Sequence, residues 1–327
     1  MIRAVRTPVA QLLATTLCLL ACPGTASAQE YPAKPVRLIL PFPAGGGSDL
    51  IARVVAQKLT ETLKQPVLVD NRAGASGNIA AELVAKAQPD GYTLLFGNSS
   101  LSIVPAVFQK LSFDPMKDFA PISMASSYPF TLVSHPSLPV RSVKQLVALA
   151  KTKPGALIYA SAGGGTMSHM AMELLRLRTG ISVQHLPYKG AAPASISILS
   201  GESQLGFLVL LVAGQHIKAG KLVGLGVAGP VRSPAAPDVP TMEEAGVKDN
   251  LALQWNGLLA PAKTPQPIID RLYRDMARVV QLPEVRQRFD TEGATPSGST
   301  PAEFAAFLKS EAVKWADVAK KSGTRLD

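Results

Sequence analysis

One short pattern occurs twice in this chain and limits what it can become. Val36-Arg37-Leu38-Ile39-Leu40 is an apolar run. Pro41, Pro43 and three consecutive glycines follow, Gly45 to Gly47, and then Ser48-Asp49 and a helical spacing of Ile51, Val54, Val55, Leu59 and Leu63. Leu157-Ile158-Tyr159-Ala160 leads in the same way through Ser161-Ala162-Gly163-Gly164-Gly165-Thr166 into a segment carrying His169, Met172 and Leu175. Each copy reads as a buried parallel strand, a glycine turn and an amphipathic helix. The prolines forbid continued ladder pairing or helix, so the first strand has to end where it does. A helix N-terminus behind a glycine turn presents unpaired backbone N–H groups and the positive end of the helix dipole. One copy is as readily a plain turn. Two copies, one in each half of the chain, place two such termini where they can face one small anion across a cleft.

Nucleotide readings fail on spacing. A phosphate-binding P-loop ends in Gly-Lys-Ser/Thr, and no lysine lies in Gly45–Asp49. A dinucleotide fingerprint needs a third glycine where Leu50 stands, although Asp70 mimics its ribose-binding carboxylate. Gly163–Thr166 is no Gly-x-Ser-x-Gly elbow, and no such elbow occurs elsewhere. His169 has Glu173 at i+4 and no second histidine near it, so a metal site is not expected. It serves either the loop and its ligand or the structure alone.

Composition narrows the class. The 327 residues suit two ordinary domains, and 47% hydrophobic against 17% charged residues supply ample core. Setting aside Arg3 and Arg6 reduces 33 basic residues to 31 against 23 acidic ones, and those are scattered among only 6% aromatics. A nucleic-acid surface needs clustered cations with stacking rings, so that partner is not expected. The excess of positive charge fits an anionic small molecule. Arg3 and Arg6, the apolar Val9 to Ala21 and Ala26-Ser27-Ala28 read as a signal peptide over residues 1–28, too short to span a bilayer. Leu19-Leu20-Ala21-Cys22 is a competing lipoprotein signal, with Cys22 the acylated residue. The two cysteines, Cys18 and Cys22, both fall in this segment, so the exported chain holds no disulfide. Export places the protein in the periplasm.

Between and after the two loops the chain alternates strand and helix. Pro66–Val69 and Tyr92–Phe96 are strands, and a helix after Asn78 carries Ile79, Leu83 and Val84 on its buried side. Asn98, Ser99, Ser100 and Ser102 stand at a strand's C-terminal edge, where open α/β sheets bind ligands, or form an ordinary polar loop. Phe130–Val133 is a strand, and Ser142 caps the helix after it. His185-Leu186-Pro187-Tyr188-Lys189-Gly190 ends another strand and precedes an Ala-rich helix through Leu199. Lys189 there meets a carboxylate or only solvent. Leu205–Val212 is apolar without interruption. Further strands are expected at Leu222–Val227 and Leu253–Leu259. Thr264 caps a helix begun by Pro265, Pro283 begins another, and Thr300-Pro301-Ala302-Glu303 is a capping box.

These segments resemble the Bug proteins, extracytoplasmic solute receptors of tripartite tricarboxylate transporters. The resemblance runs through YPAKPVRLILPFPAGGGSD from Tyr31, VDNRAGASGNIAAE from Val69, PDGYTLLFGNSS from Pro89, KPGALIYASAGGGTMSHM from Lys153, HLPYKGAAPA from His185 and WNGLLAPAKTP from Trp255. It implies an α/β, two-lobed periplasmic-binding-protein-like (type II) fold, each lobe a mixed sheet flanked by helices with a cleft between them. The first lobe would hold residues 29–125 and 251–327 and the second 126–250, with hinge strands near Ser123–Phe130 and Asn250–Trp255. The ligand's carboxylate would be held by Phe42, Ala44, Gly45, Gly46, Gly47, Ser48 and Asp49 from one lobe. Ser161, Gly163, Gly164, Gly165, Thr166 and His169 would hold it from the other, with Asn98, Ser99, Tyr188 and Lys189 beside the cleft. Asp49, an acid at an anion site, is expected to organise its loop by accepting N–H bonds. Relatives carry Asp or Asn where Val209-Leu210-Leu211-Val212 stand here, which implies a ligand with an apolar or aromatic body. The resemblance implies a monomeric, non-enzymatic receptor without cofactor or metal. Its partners would be a small carboxylate (di- or tricarboxylate, amino acid or aromatic acid) and inner-membrane transporter subunits or a sensor protein. An α/β enzyme acting on a small anion remains the other reading; it would need a nucleophile–base pair in the cleft.

Overall fold

A computed structural model describes residues 31–291 and 293–326. The expected signal peptide and both cysteines lie outside the described residues. Ten strands form a sheet in the order β2-β1-β3-β9-β4-β7-β5-β6, with β8 and β10 pairing to β4 off this path. β1 (Val36–Leu40), β2 (Val67–Asn71) and β3 (Thr93–Asn98) are parallel, and β9 (Leu253–Pro261) runs antiparallel between β3 and β4. β4 (Phe119–Ser134) is shared: its first part pairs with β9 and β10 (Thr295–Pro296), its last part with β7 (Leu205–Val209) and β8 (Val223–Val227). β5 (Ile158–Ser161) then lies parallel to β7 and to β6 (Gln184–Pro187). The two lobes are the two ends of this sheet, and β4 belongs to both.

The apolar strands are covered on both faces, as a largely parallel sheet requires. Leu38 and Leu40 pack beneath α1 (Gly47–Leu63), α8 (Gln266–Val279) and α9 (Pro283–Thr291), whose Val55, Leu59, Leu272, Met276 and Phe289 are almost fully buried. Ile39 and Leu95 point the other way, against α2 (Asn78–Ala85) and α3 (Ser100–Val107), with Trp255 and Phe304. In the second lobe Phe130, Leu132, Tyr159 and Phe207 pack with α4 (Val143–Thr152) and α5 (Met167–Thr179). Each such Leu or Phe contributes roughly 1.5–3 kcal/mol by leaving water. The opposite face is closed by α6 (Ala191–Ser200) and α7 (Leu210–Lys218). α10 (Pro301–Ser322) begins in the first core with Phe304 and Leu308 and ends in the second with Trp315 and Val318. None of the described helices is long and apolar enough to cross a membrane.

Three local expectations change. Leu205–Val212 is not one element: β7 stops at Val209, which serves as the N-cap position of α7. Ile79 is half exposed, because α2 buries its short face, Ala80, Ala81 and Val84. Thr264 does not cap α8; its hydroxyl donates to the Pro261 carbonyl, and Pro265 stands at the cap. Ser142 accepts from the Gln145 N–H, and Thr300 with Glu303 closes the expected capping box.

Candidate functional site

A cavity of about 400 Å³ lies between the lobes, inside the size range of small-molecule sites. Its first wall is the loop from β1 into α1. Phe42, Ala44, Gly45, Gly46, Gly47, Ser48 and Asp49 all line it. Gly45 turns the chain at φ +86°, a left-handed conformation suited to glycine. Asp49 fixes the turn from below: its carboxylate accepts from the Gly45 N–H at 3.0 Å, Arg53 Nε at 2.9 Å and Asn71 Nδ2 at 3.0 Å. Burial alone would raise its pKa, but the bonds from Arg53, Gly45 and Asn71, together with the Arg53 charge, hold the carboxyl below the ordinary range. Asp49 therefore serves as a loop anchor. No partner among the described residues is found for the Gly46, Gly47 and Ser48 N–H groups, and no side chain caps α1. Ser48 Oγ lies 3.2 Å from the hydroxyl of Tyr128, which reaches across from β4.

The second glycine loop is arranged differently. Thr166 lines the cavity with Ala162, Met167 and Ser168. Ser161, Gly163, Gly164, Gly165 and His169 do not; they form the layer behind. Gly163 N–H donates to Ser161 Oγ, Gly165 N–H to His169 Nδ1 at 3.1 Å, and Ala162 N–H to Ser168 Oγ at 3.0 Å. The Thr166 hydroxyl donates to the Gly163 carbonyl and leaves the helix uncapped. Side chains at Gly164 and Gly165 are excluded from behind, where Leu326 and Val107 fill the space. Ser76 Oγ donates to the Gly164 carbonyl at 2.6 Å, tying this loop to the first lobe. What α5 offers the cavity is thus its first turn, Met167 and Ser168.

Behind this loop three rings stack. The His169 and His185 centroids are 4.1 Å apart, and Tyr159 lies 4.7 Å from His185. Burial pushes His169 down to about 4, with Arg176 adding to the effect. His185 falls to about 4 through burial, His169 and Arg176, against the pull of Glu173. Ser161 Oγ and His185 Nε2 are 2.6 Å apart, a serine–histidine contact that sequence spacing could not reveal. Ser161 is buried, lies off the cavity and is also bonded to Gly163, so the pair supports the loop.

Of the remaining predicted residues, Asn98 and Lys189 line the cavity. Ser99 does not: its hydroxyl donates to Gln254 Oε1 at 2.6 Å. Tyr188 turns its hydroxyl to Ser197 and Glu202. The Ala-rich helix after Gly190 is present as α6, and its uncapped first turn, Ala191 to Ser195, also lines the cavity, beyond the Lys189–Gly190 stretch expected there. Tyr128, Phe130 and Gln254 were not expected at the site; they stand on strands buried on both faces, where no periodicity marks the exposed side. Among the described residues no group of three His, Cys, Asp or Glu side chains is placed to hold a metal ion.

Two α/β lobes sharing a crossing strand around an interior cavity define a periplasmic binding protein, and solved structures of that class superpose on the chain. An R. palustris protein solved with adipate matches at TM-score 0.85 and 33% identity, covering 91% of this chain and 100% of that one. MatC from Rhodopseudomonas palustris, with bound malate, matches at TM-score 0.82 and 30% identity, covering 88% and 99%. BugT of Bordetella pertussis is 37% identical over 325 residues, 97% of this chain and 98% of that protein. The family of tripartite tricarboxylate transporter receptors matches residues 51–324, and the chain belongs to it.

Proposed function

We propose that this protein captures a small carboxylate between its lobes and delivers it to the membrane subunits of a tripartite tricarboxylate transporter. The observation that carries the reading is the convergence of uncapped helix N-termini, α1 with α5 and α6, on one cavity. Backbone N–H groups there, supplemented by Asn98 and Gln254 amides, are donors suited to a carboxylate. Adipate and malate on the two R. palustris relatives support the same ligand class. In this reading residues up to 125 and from 251 form the first lobe and 126–250 the second, except that the end of α10, from Trp315, packs into the second lobe's core. The protein acts as an exported periplasmic monomer, and binding energy in the closed form drives closure.

Native mass spectrometry of gently purified protein, followed by thermal shifts against mono- and dicarboxylates, cations and sugars, tests the reading. A carboxylate should raise the melting temperature at micromolar to millimolar concentration. Stabilisation by a cation or a sugar, with none by any carboxylate, would overturn it.

A further inference from the structure

We infer that the preferred ligand is a monocarboxylate with an apolar body, an aromatic or branched aliphatic acid, and not a dicarboxylate. The inference rests on the carboxylate reading above and concerns the far end of the same cavity. Side-chain amide donors gather on one side: Asn98 and Gln254, beside the α1 turn, belong to the first lobe's part of the sheet, while α5 and α6 add only backbone N–H groups from the second lobe. The other side is the end of β4 with β7 and α7. Phe130 and Val209 stand opposite each other in the β4–β7 register, Leu208 adjoins them, and Val212 lies just inside α7. All four line the cavity, as does Met167 from α5. None of these side chains offers a hydrogen bond to an oxygen anion.

The charged groups lining the cavity are two, Asp49 and Lys189. Asp49 is fully engaged by Gly45, Arg53 and Asn71. The second lobe's hydroxyls are engaged too: Thr166 with Gly163, Ser168 with Ala162, and Ser195 with the Ala191 carbonyl. A second carboxylate against Phe130, Val209 and Val212 would lose its water and meet only apolar side chains, with no side-chain donor to replace that water. A phenyl or branched alkyl group there leaves water for an apolar wall. Lys189 is exposed at the rim and is the one place where a second carboxylate could find a cation.

Calorimetry with phenylacetate, 4-methylpentanoate, adipate, malate and phenylacetamide decides the matter. Phenylacetate or 4-methylpentanoate should bind at least about tenfold more tightly than adipate or malate. Phenylacetamide, the same body without the charge, should not bind measurably. Val212→Asn should weaken phenylacetate about tenfold and strengthen adipate; Val209→Thr, nearly isosteric, should do so to a smaller extent and guards against misfolding of the first variant. Tighter binding of adipate than of either monocarboxylate would overturn the inference while leaving the carboxylate reading intact. Loss of that adipate binding in Lys189→Ala would then assign the second carboxylate to Lys189. Failure of every carboxylate to bind would overturn both.

Discussion

The two glycine loops share a sequence pattern and differ in what they do with it. In Phe42–Gly47 the glycines face the cavity; a methyl group placed on Gly45 would meet nothing within 4 Å, and one on Gly46 only the Pro43 carbonyl at 4.0 Å. In Ser161–Thr166 the glycines face backwards. A methyl group on Gly164 would lie 2.8 Å from Leu326, and one on Gly165 2.9 Å from Val107. The first loop is held from beneath by one carboxylate and leaves its N–H groups available. The second bonds its Ala162, Gly163, Gly165 and Thr166 N–H groups internally and has two stacked histidines behind it. The same three glycines thus make an open turn in one lobe and a close-packed joint in the other.

The difference can be broken at its strongest point by Asp49→Ala. It leaves the Gly45 N–H without its acceptor, Arg53 without its counter-charge and Asn71 with one acceptor fewer, which should destabilise the protein by about 3 kcal/mol and lower ligand affinity more than tenfold. Denaturant unfolding and calorimetry measure the two. Gly164→Val tests the packed loop: overpacking against Leu326 should remove about 1–3 kcal/mol, and pairing it with Leu326→Ala should restore part of that in a double-mutant cycle.

A pH titration separates the loops by chemistry. Both histidines are neutral in the fold with pKa values near 4, whereas an unfolded histidine takes its proton near 6.5. Between those limits the unfolded chain binds more protons, so their contribution to stability is complete above pH 6.5 and declines as the pH falls towards 4. His169→Asn, which keeps an acceptor for Gly165, should make this acid limb shallower. Asp49, held low, gives its contribution above the ordinary carboxylate range and loses it only in stronger acid, so the second loop should weaken first. The smallest structural effect is expected from Gly46→Ala. It has room and an ordinary φ of −81°, so stability should change by at most about 1 kcal/mol, while affinity falls about tenfold because the methyl group stands in the cavity wall. Unchanged affinity would mean that this turn does not touch the ligand.

The architecture was legible where glycine, proline and apolar runs punctuate the chain: both strand–turn–helix units, β3 and its polar C-terminal edge, the Ser142 cap and the Thr300 box lie where spacing placed them. The first loop was legible down to the anchoring role of Asp49, because an acid beside an anion turn needs donors of its own. The second loop was legible in its backbone and not in its orientation. Nothing local to Gly163–Gly165 announces that Leu326, more than a hundred residues later, occupies the space behind it. The helix after Gly190 was legible from its alanines, but the cavity-lining role of its first turn, Ala191 to Ser195, was not, because that turn carries no cap and no charge of its own. The boundary at Val209 was missed because an unbroken apolar run has no period to distinguish its strand half from its helix half.

β4 has a mechanical consequence. A single strand of 16 residues serves both lobes, and its pairing slips at Pro121/Ser123, Met124/Ser126 and Leu132/Val133. Such irregular points add local twist to the one strand that joins the lobes, so they are where a change in the angle between the lobes would cost the fewest ladder bonds. Stiffening a slip, for instance by a substitution that restores even pairing around Met124, should slow opening and closing alike and leave the shape of the cavity unchanged.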